Sequence, residues 1–272
     1  MTLPSSGQIT LNQIHVEAGG TSGSQAAIND SDIRGLIGKN TTEQKAFNEW
    51  YGASAASGTV SFLGRSSTTT ANFANGARTL SSGTKLIVVV HVGLFAGTAN
   101  NGIQATSVSC GGTAMTKAVG SGGHYMTTSI GATSSIWYLE TAQSGSTLIS
   151  GTTQANGSGP TFAYTYEISG YNSATPYATS SANNQGSPAY NDAISVNGQS
   201  GGVTIIGGAC TGPGTLTVSN GATIGAQDSA TYSQFFAAAK QGISGGSQSY
   251  TITKTSNLQT QSVFSLQAIS FG

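Results

Sequence analysis

One run of residues constrains the fold more than any other. Residues 85–95 read Lys-Leu-Ile-Val-Val-Val-His-Val-Gly-Leu-Phe, β-branched in the middle, with a glycine-bearing turn before them and a small-residue loop after. A strand with one wet face alternates apolar and polar side chains, so an unbroken apolar run between turn signals predicts a strand covered on both faces. At about ten residues it is too short for a membrane-spanning helix, which needs about twenty. It belongs at the centre of a sheet, and the body around it reads as a β-sandwich.

The rest of that body supports the same class. Strand-like runs fall at 59–63, 106–110, 114–119, 134–140, 147–152, 162–168, 193–196, 203–209, 215–218, 233–238, 250–255 and 262–271. Glycine-rich turns such as Gly111-Gly112, Gly122-Gly123, Gly201-Gly202 and Gly245-Gly246 separate them at the spacing of sandwiches and jelly rolls. No helix of ordinary length stands out, and 235–240 is ambiguous because its alanines favour helix while its surroundings favour strand. Thirty-nine glycines could signal a disordered chain, but the hydrophobic share is 37% and is gathered into these runs, so the chain folds.

Charge narrows the function classes. Net charge is zero and only 7% of residues are charged, well under the roughly 25% of ordinary soluble domains. Nucleic acid and anionic membrane surfaces both require clustered Lys and Arg, so neither is an expected partner and no membrane insertion is expected. A neutral Ser/Thr/Asn/Gly surface has little self-repulsion, which favours multimers. Cys110 and Cys210 both adjoin apolar strand-like runs and read as buried thiols rather than a disulfide.

The first 54 residues differ. Glu17, Asp30, Asp32, Arg34, Lys39, Glu43, Lys45 and Glu49 place eight of the chain's 18 charged residues there. This marks a boundary between a head, 1–54, and a body, 55–272. In the head, 8–11 alternates like a short strand, and Asn12 can cap a brief helix that ends at Gly19-Gly20. Asn29-Asp30 opens a second helix over 31–37, and 40–51 reads as a third with Glu43 completing a capping box on Asn40. Each is shorter than the 12 to 15 residues or so that an isolated helix needs in water, so the head must find apolar cover on the body, on sister copies or on a larger assembly. The expected fold class is all-β: a jelly-roll-like β-sandwich body preceded by a small, mostly short-helical N-terminal attachment segment.

Leu3-Pro4-Ser5-Ser6-Gly7-Gln8-Ile9-Thr10-Leu11, Glu17-Ala18-Gly19-Gly20, residues 27–36 with Asn29-Asp30-Ser31, and Trp50-Tyr51-Gly52-Ala53-Ser54 follow one another in a set order. That order resembles the N-terminal segment of tail fibres and other tail-associated virion proteins of tailed bacteriophages, over about a fifth of the chain. The resemblance implies a virion structural protein made in the host cytoplasm and located in the particle, in the tail rather than the capsid. Its head would dock onto other virion proteins of the tail or an adaptor through Ile9, Leu11, Ile14, Ile28, Ile33, Leu36, Trp50 and Tyr51. Self-association, most simply as a homotrimer, is expected. The absence of a basic and apolar leader before Gly20 agrees with a protein that is not secreted. Alternatives are a capsid or collar decoration protein and a glycan-degrading tailspike enzyme.

Candidate chemistry is sparse. Residues 198–202 and 242–246 both satisfy Gly-x-Ser-x-Gly, the nucleophile elbow, but that elbow needs a helix after it and a downstream acid and His, and the last histidine is His124. Both read as turns. His15, His91 and His124 lack metal-ligand spacing. His91 reads as a satisfied core histidine. Asp30-Ser31-Asp32 reads as a helix start rather than a calcium site. Glu140, Glu167, Asp192 and Asp228 are isolated carboxylates, a poor set for glycoside cleavage, which needs two flanking one bond. No catalytic residue, metal or cofactor is expected, and the reading is non-enzymatic. For host-surface glycan, Tyr125, Tyr171, Tyr177 and Tyr190 lie amid Asn, Ser and Thr in Gly/Pro-rich loops, where aromatic faces and two-way hydrogen bonders suit a neutral sugar.

Overall fold

The two-sided burial expected of residues 85–95 sets the layer order of the whole body. The structure, a computed structural model, describes residues 3–37, 39, 44–53, 58–69, 72–96, 103–127, 130–154, 159–186, 191–212, 214–230, 233–255 and 262–272. In it the run forms β3, Lys85–Ala96. Leu86, Val88, Val90, Val92 and Leu94 enter one apolar core, while Ile87 and Val89 enter another. Side chains alternate faces along a strand, so an unbroken apolar run fills two cores at once.

In the first sheet β3 has β9 (Thr161–Ser169) and β1 (Thr59–Thr68) on one side and β7 (Ile130–Thr141) and β6 (Thr116–Thr127) on the other. The order is β1-β9-β3-β7-β6, antiparallel throughout. A smaller sheet covers the Ile87 face with β2 (Gly76–Leu80), β8 (Gly145–Thr153), β4 (Ala105–Cys110) and the two-residue β5 (Thr113–Ala114), in the order β2-β8-β4-β5. The chain passes repeatedly between the two sheets, as in a jelly roll.

The chain then repeats this plan. The second large sheet is built from β10 (Ala178–Gly186), β12 (Val203–Thr211), β14 (Thr223–Ala230), β15 (Ser233–Gln241) and β17 (Ser262–Phe271), in the order β10-β17-β12-β15-β14. Its small partner holds β11 (Asn191–Gly198), β13 (Leu216–Val218) and β16 (Gly246–Lys254), in the order β11-β16-β13. Counted from the start of each half, the two strand orders coincide, β5 alone lacking a counterpart. The body is therefore two sandwiches of one topology, spanning residues 59–169 and 178–271. Strands make up 58% of the structure and helix 7%, the all-β class with a small helical head.

The two large sheets lie back to back, with β3 against β12, β1 beside β14, and β6 beside β10. Between them Val90, Phe162 and Tyr164 of the first sandwich meet Ile205, Phe235 and Ile269 of the second. The body thus has four sheet layers and three cores. Since β1 corresponds to β10 and β6 to β14, these contacts are those of an approximate two-fold axis passing between β3 and β12. At the centre, a Cβ on Gly207 would stand 2.3 Å from Val90 Cγ1, so the absent side chain lets the sheets close.

Three strands lacked a sequence signal: β2, β10 and β14. All are edge strands, and β10 reads Ala-Thr-Ser-Ser-Ala-Asn-Asn-Gln-Gly. Edge strands bury less and so carry less apolar pattern. The ambiguous 235–240 stretch lies in β15, buried nearly throughout because the middle core covers one face and the second sandwich the other. Cys110 and Cys210 are free and buried in different cores, as two structural thiols. Burial pushes the Cys210 thiol up to about 12, against the opposing pull of Lys254.

The head corrects one expectation: it supplies its own apolar cover. Leu3, Ile9, Ile14, Ala18, Ile33, Leu36 and Trp50 bury one another in a small separate core. Helix α1, Leu11–Glu17, is capped by Thr10 rather than Asn12, in a reciprocal box with Gln13. Asn12 instead reaches across to Ser22 and the Gly23 N–H. Helix α2, Ser31–Gly35, is two residues shorter than expected, and Asp30 accepts from the Ala27 N–H instead of capping it. The third helix is reduced to a single 3-10 turn, Phe47–Trp50, whose Glu49 accepts from the Ala46 N–H and pairs with Lys39. The box expected on Asn40 and Glu43 lies outside the described residues. Trp50 Nε1 donates to the Ile33 carbonyl at 2.9 Å, and Leu3 N–H to Ala53 O at 2.9 Å closes the two ends of the segment on each other.

Candidate functional site

The head's proposed docking residues separate into two groups. Ile9, Ile14, Ile33, Leu36 and Trp50 are buried in the head's own core, and Leu11 and Tyr51 are half-buried against it. Tyr51 also donates its hydroxyl to the Gly7 carbonyl. These side chains build the head's core, and Leu11 and Tyr51 keep part of their surface outside it. Ile28 is 37% exposed, and it is joined by Phe47 at 44%, which is not among the expected docking residues. Among the described residues the large exposed hydrophobics are these two, Leu148 and Tyr177.

The head meets the body at a small polar seam. Gln199, in the turn between β11 and β12, is buried and donates from Nε2 to the Gly35 carbonyl. A Cβ on Gly19 would stand 2.7 Å from Ser200 Oγ, so glycine is what lets the end of α1 approach this turn. Residues 198–202 are the first Gly-x-Ser-x-Gly, and the second lies between β15 and β16. Both are turns leading into strands, without the helix a nucleophile elbow requires. They join each other through Gly201 N–H to Ile243 O at 2.8 Å and Ile243 N–H to Gly202 O at 3.2 Å.

Of the four tyrosines, Tyr171 and Tyr177 have described side chains. Tyr171 is half-buried and donates to Glu140 Oε1 at 2.7 Å. Burial is the first cause, and the carboxylate the second, of the raised pKa of its phenol. Tyr177 is exposed just before β10, with its N–H on the Ser270 carbonyl at 2.9 Å. Tyr125 is in strand β6, paired with Gly131, and not in a loop; its side chain and all of Tyr190 lie outside the described residues.

The carboxylates are equally dispersed. Glu167 accepts from the Ser81 N–H at 3.0 Å, and Asp192 from its neighbour's N–H at 2.8 Å. Asp228 takes Arg65 at 2.8 Å and the Tyr164 hydroxyl at 3.0 Å, a bridge between the sandwiches. Among the described residues no group of His, Cys, Asp and Glu is arranged to hold a metal. His91 is fully buried, its ring stacked on Phe73 with centroids 5.1 Å apart. Neither ring nitrogen has a partner among the described residues, which corrects the expectation of a satisfied core histidine. Burial, then repulsion from Lys117, pushes its pKa down to about 3, so the ring is neutral.

The site that the sequence did not announce lies where the two sandwiches meet at β1 and β14. A cleft of about 370 Å³ opens there, lined by Val60, Phe62 and Tyr166 of the first sandwich and Gly225, Lys240 and Gln241 of the second. Each facing edge strand carries a bulge at the cleft: the register slips between Phe62 and Gly64, and again between Ile224 and Ala226. A bulge leaves one residue unpaired and re-aims its neighbours. A Cβ on Gly225 would lie 2.6 Å from the Tyr166 hydroxyl and 2.8 Å from the Phe62 ring, so this glycine keeps the cleft open. Tyr166 falls within the strand-like run 162–168, and Gly225 lies in β14, which lacked a sequence signal, so the pattern did not mark the cleft.

The fold and its sites define a class: a tandem jelly-roll-like β protein with a small helical head and an inter-sandwich cleft. No protein-family model, curated protein or solved structure matches the chain. Among the described residues no helix is long and apolar enough to cross a membrane.

Proposed function

We propose that this chain is a bacteriophage virion structural protein, a tail fibre or tail-attached appendage that anchors by residues 1–54 and presents the double sandwich outward for host-surface contact. The observation that carries the reading is the ordered series of head motifs, from Leu3-Pro4 to Trp50-Tyr51-Gly52, occurring in a segment with its own core. Among the described residues the head touches the body at the Gln199 turn, as suits a module whose main contacts are made elsewhere. Ile28 and Phe47, apolar and exposed, are the residues that would enter the neighbouring virion protein. Copies associate through the neutral body, most simply as a trimer.

Deletion of residues 1–53 tests the anchoring. The truncated chain is expected to keep its β circular dichroism and lose incorporation into particles. A folded truncation that still incorporates as well as the full chain overturns the reading. Light scattering that returns a clean monomer for the full chain at micromolar concentration overturns the trimer.

A further inference from the structure

The β1/β14 cleft has the chemistry of a binding site, and its polar groups are strongly one-sided. The Tyr166 hydroxyl lies in the cleft wall, its residue 1% exposed, with the Gly225 backbone N–H against its oxygen, and its own hydrogen has no acceptor among the described residues. Gly225 is the extra residue of the β14 bulge, which turns its backbone toward Tyr166. Lys240 is held at the wall by Asn220 Oδ1 at 2.9 Å through one of its three donor hydrogens. Gln241 accepts from the Val60 N–H through Oε1 at 3.1 Å, leaving its Nε2 as a donor. Thr223 adds a hydroxyl.

Among the described residues that line the cleft there is no carboxylate. Asp228, further along β14, is occupied by Arg65 and Tyr164. The site therefore offers a cation and several neutral donors next to the apolar faces of Val60, Phe62 and Ala239. A ligand that matches this carries acceptors and one negative charge beside an apolar face, and about 370 Å³ suits a single six-membered ring with its substituents.

We propose that the inter-sandwich cleft binds a ring-sized carboxylate, with the carboxylate on Lys240 and Gln241 and a second acceptor on the Tyr166 hydroxyl. The Phe62 ring and Val60 cover the ligand's apolar face. The proposal deepens the outward-contact part of the proposed function, and it stands or falls in solution, separately from incorporation into particles.

The test uses the full chain and three probes by titration calorimetry or ligand-observed NMR: glucuronate, cyclohexanecarboxylate and glucose. Saturable binding of a carboxylate probe is expected, at least tenfold tighter than glucose. If glucuronate leads, the source is an acidic sugar; if cyclohexanecarboxylate equals it, the carboxylate and apolar face alone are read, and the class stands. Lys240→Met should weaken the carboxylate probes tenfold or more and leave glucose unchanged, since a charged hydrogen bond is lost. Tyr166→Phe, which removes only an oxygen, should weaken glucuronate several-fold. Gly225→Ala should crowd Phe62 and Tyr166 and reduce binding of every probe, while Tyr177→Ala leaves binding unchanged. Glucose binding as tightly as glucuronate, no saturable carboxylate binding, or equal affinity in a folded Lys240→Met protein overturns the proposal.

Discussion

Two seams hold this molecule together, and they are built from opposite materials. The seam between the sandwiches is a continuous apolar layer in which Leu86, Val88, Val90, Val92 and Leu94 of a single strand are buried. At about 1.5–3 kcal/mol for each fully buried aliphatic side chain, that strand alone contributes on the order of 10 kcal/mol to the junction. Among the described residues the seam between head and body rests on the Gln199 side chain and the close approach of Gly19 and Gly35 to this turn. One hydrogen bond is worth about 1 kcal/mol net. The sandwiches are therefore one cooperative unit although the chain repeats its plan, whereas the head is a separate unit although it is too small to contain a full-length helix. A repeat in topology does not make a boundary; the material of the seam does.

The largest effect should come from breaking the apolar seam. Val90→Asp places a charge with no partner in the middle core and should cost more than about 4 kcal/mol, lowering one unfolding transition shared by both sandwiches. Two separated transitions, one of them unchanged, would show that the sandwiches are independent.

Next is acid. The His91 pKa is depressed to about 3 in the folded chain against about 6.5 unfolded, so the unfolded state binds the proton first. Stability is full above about pH 6.5 and falls as pH drops toward 3, by up to about 1.4 kcal/mol per pH unit from this one group. His91 lies in the first sandwich, yet both sandwiches should weaken together while the head core does not. Denaturant titrations from pH 7 to 4 check this, with His91→Leu expected to flatten the profile.

The smallest effect belongs to the polar seam. Gln199→Ala should leave the body's melting midpoint nearly unchanged, costing about 1 kcal/mol locally. It should speed amide exchange and proteolysis near residue 53, where the head joins the body. A large drop in the body's own stability would mean the head is part of the body's fold.

Legibility followed burial. The strands that fill two cores were readable, because β3, β7, β9, β12 and β17 carry enough apolar side chains to stand out against Gly, Ser and Thr. The edge strands β10 and β14 were not, and β14 forms one wall of the cleft. In the head, the burial of Ile9, Ile33 and Trp50 was legible as apolar spacing, but the surface they pack on was assigned to another protein when it is provided within the same 53 residues. Loop composition marks Tyr171 and Tyr177 alike, while the tertiary structure sets Tyr171 on Glu140 and Tyr177 at the approach of β10.

What the amino-acid sequence determined by itself was local: strand or turn, the change of composition near residue 54, and the need for cover on both sides of residues 85–95. Only the tertiary structure decided what provides that cover, that the plan occurs twice, and that bulges at Leu63 and Gly225 face one cleft. The physical reason is that alternation along a strand reports how many of its faces are buried and carries no record of which distant sheet buries them.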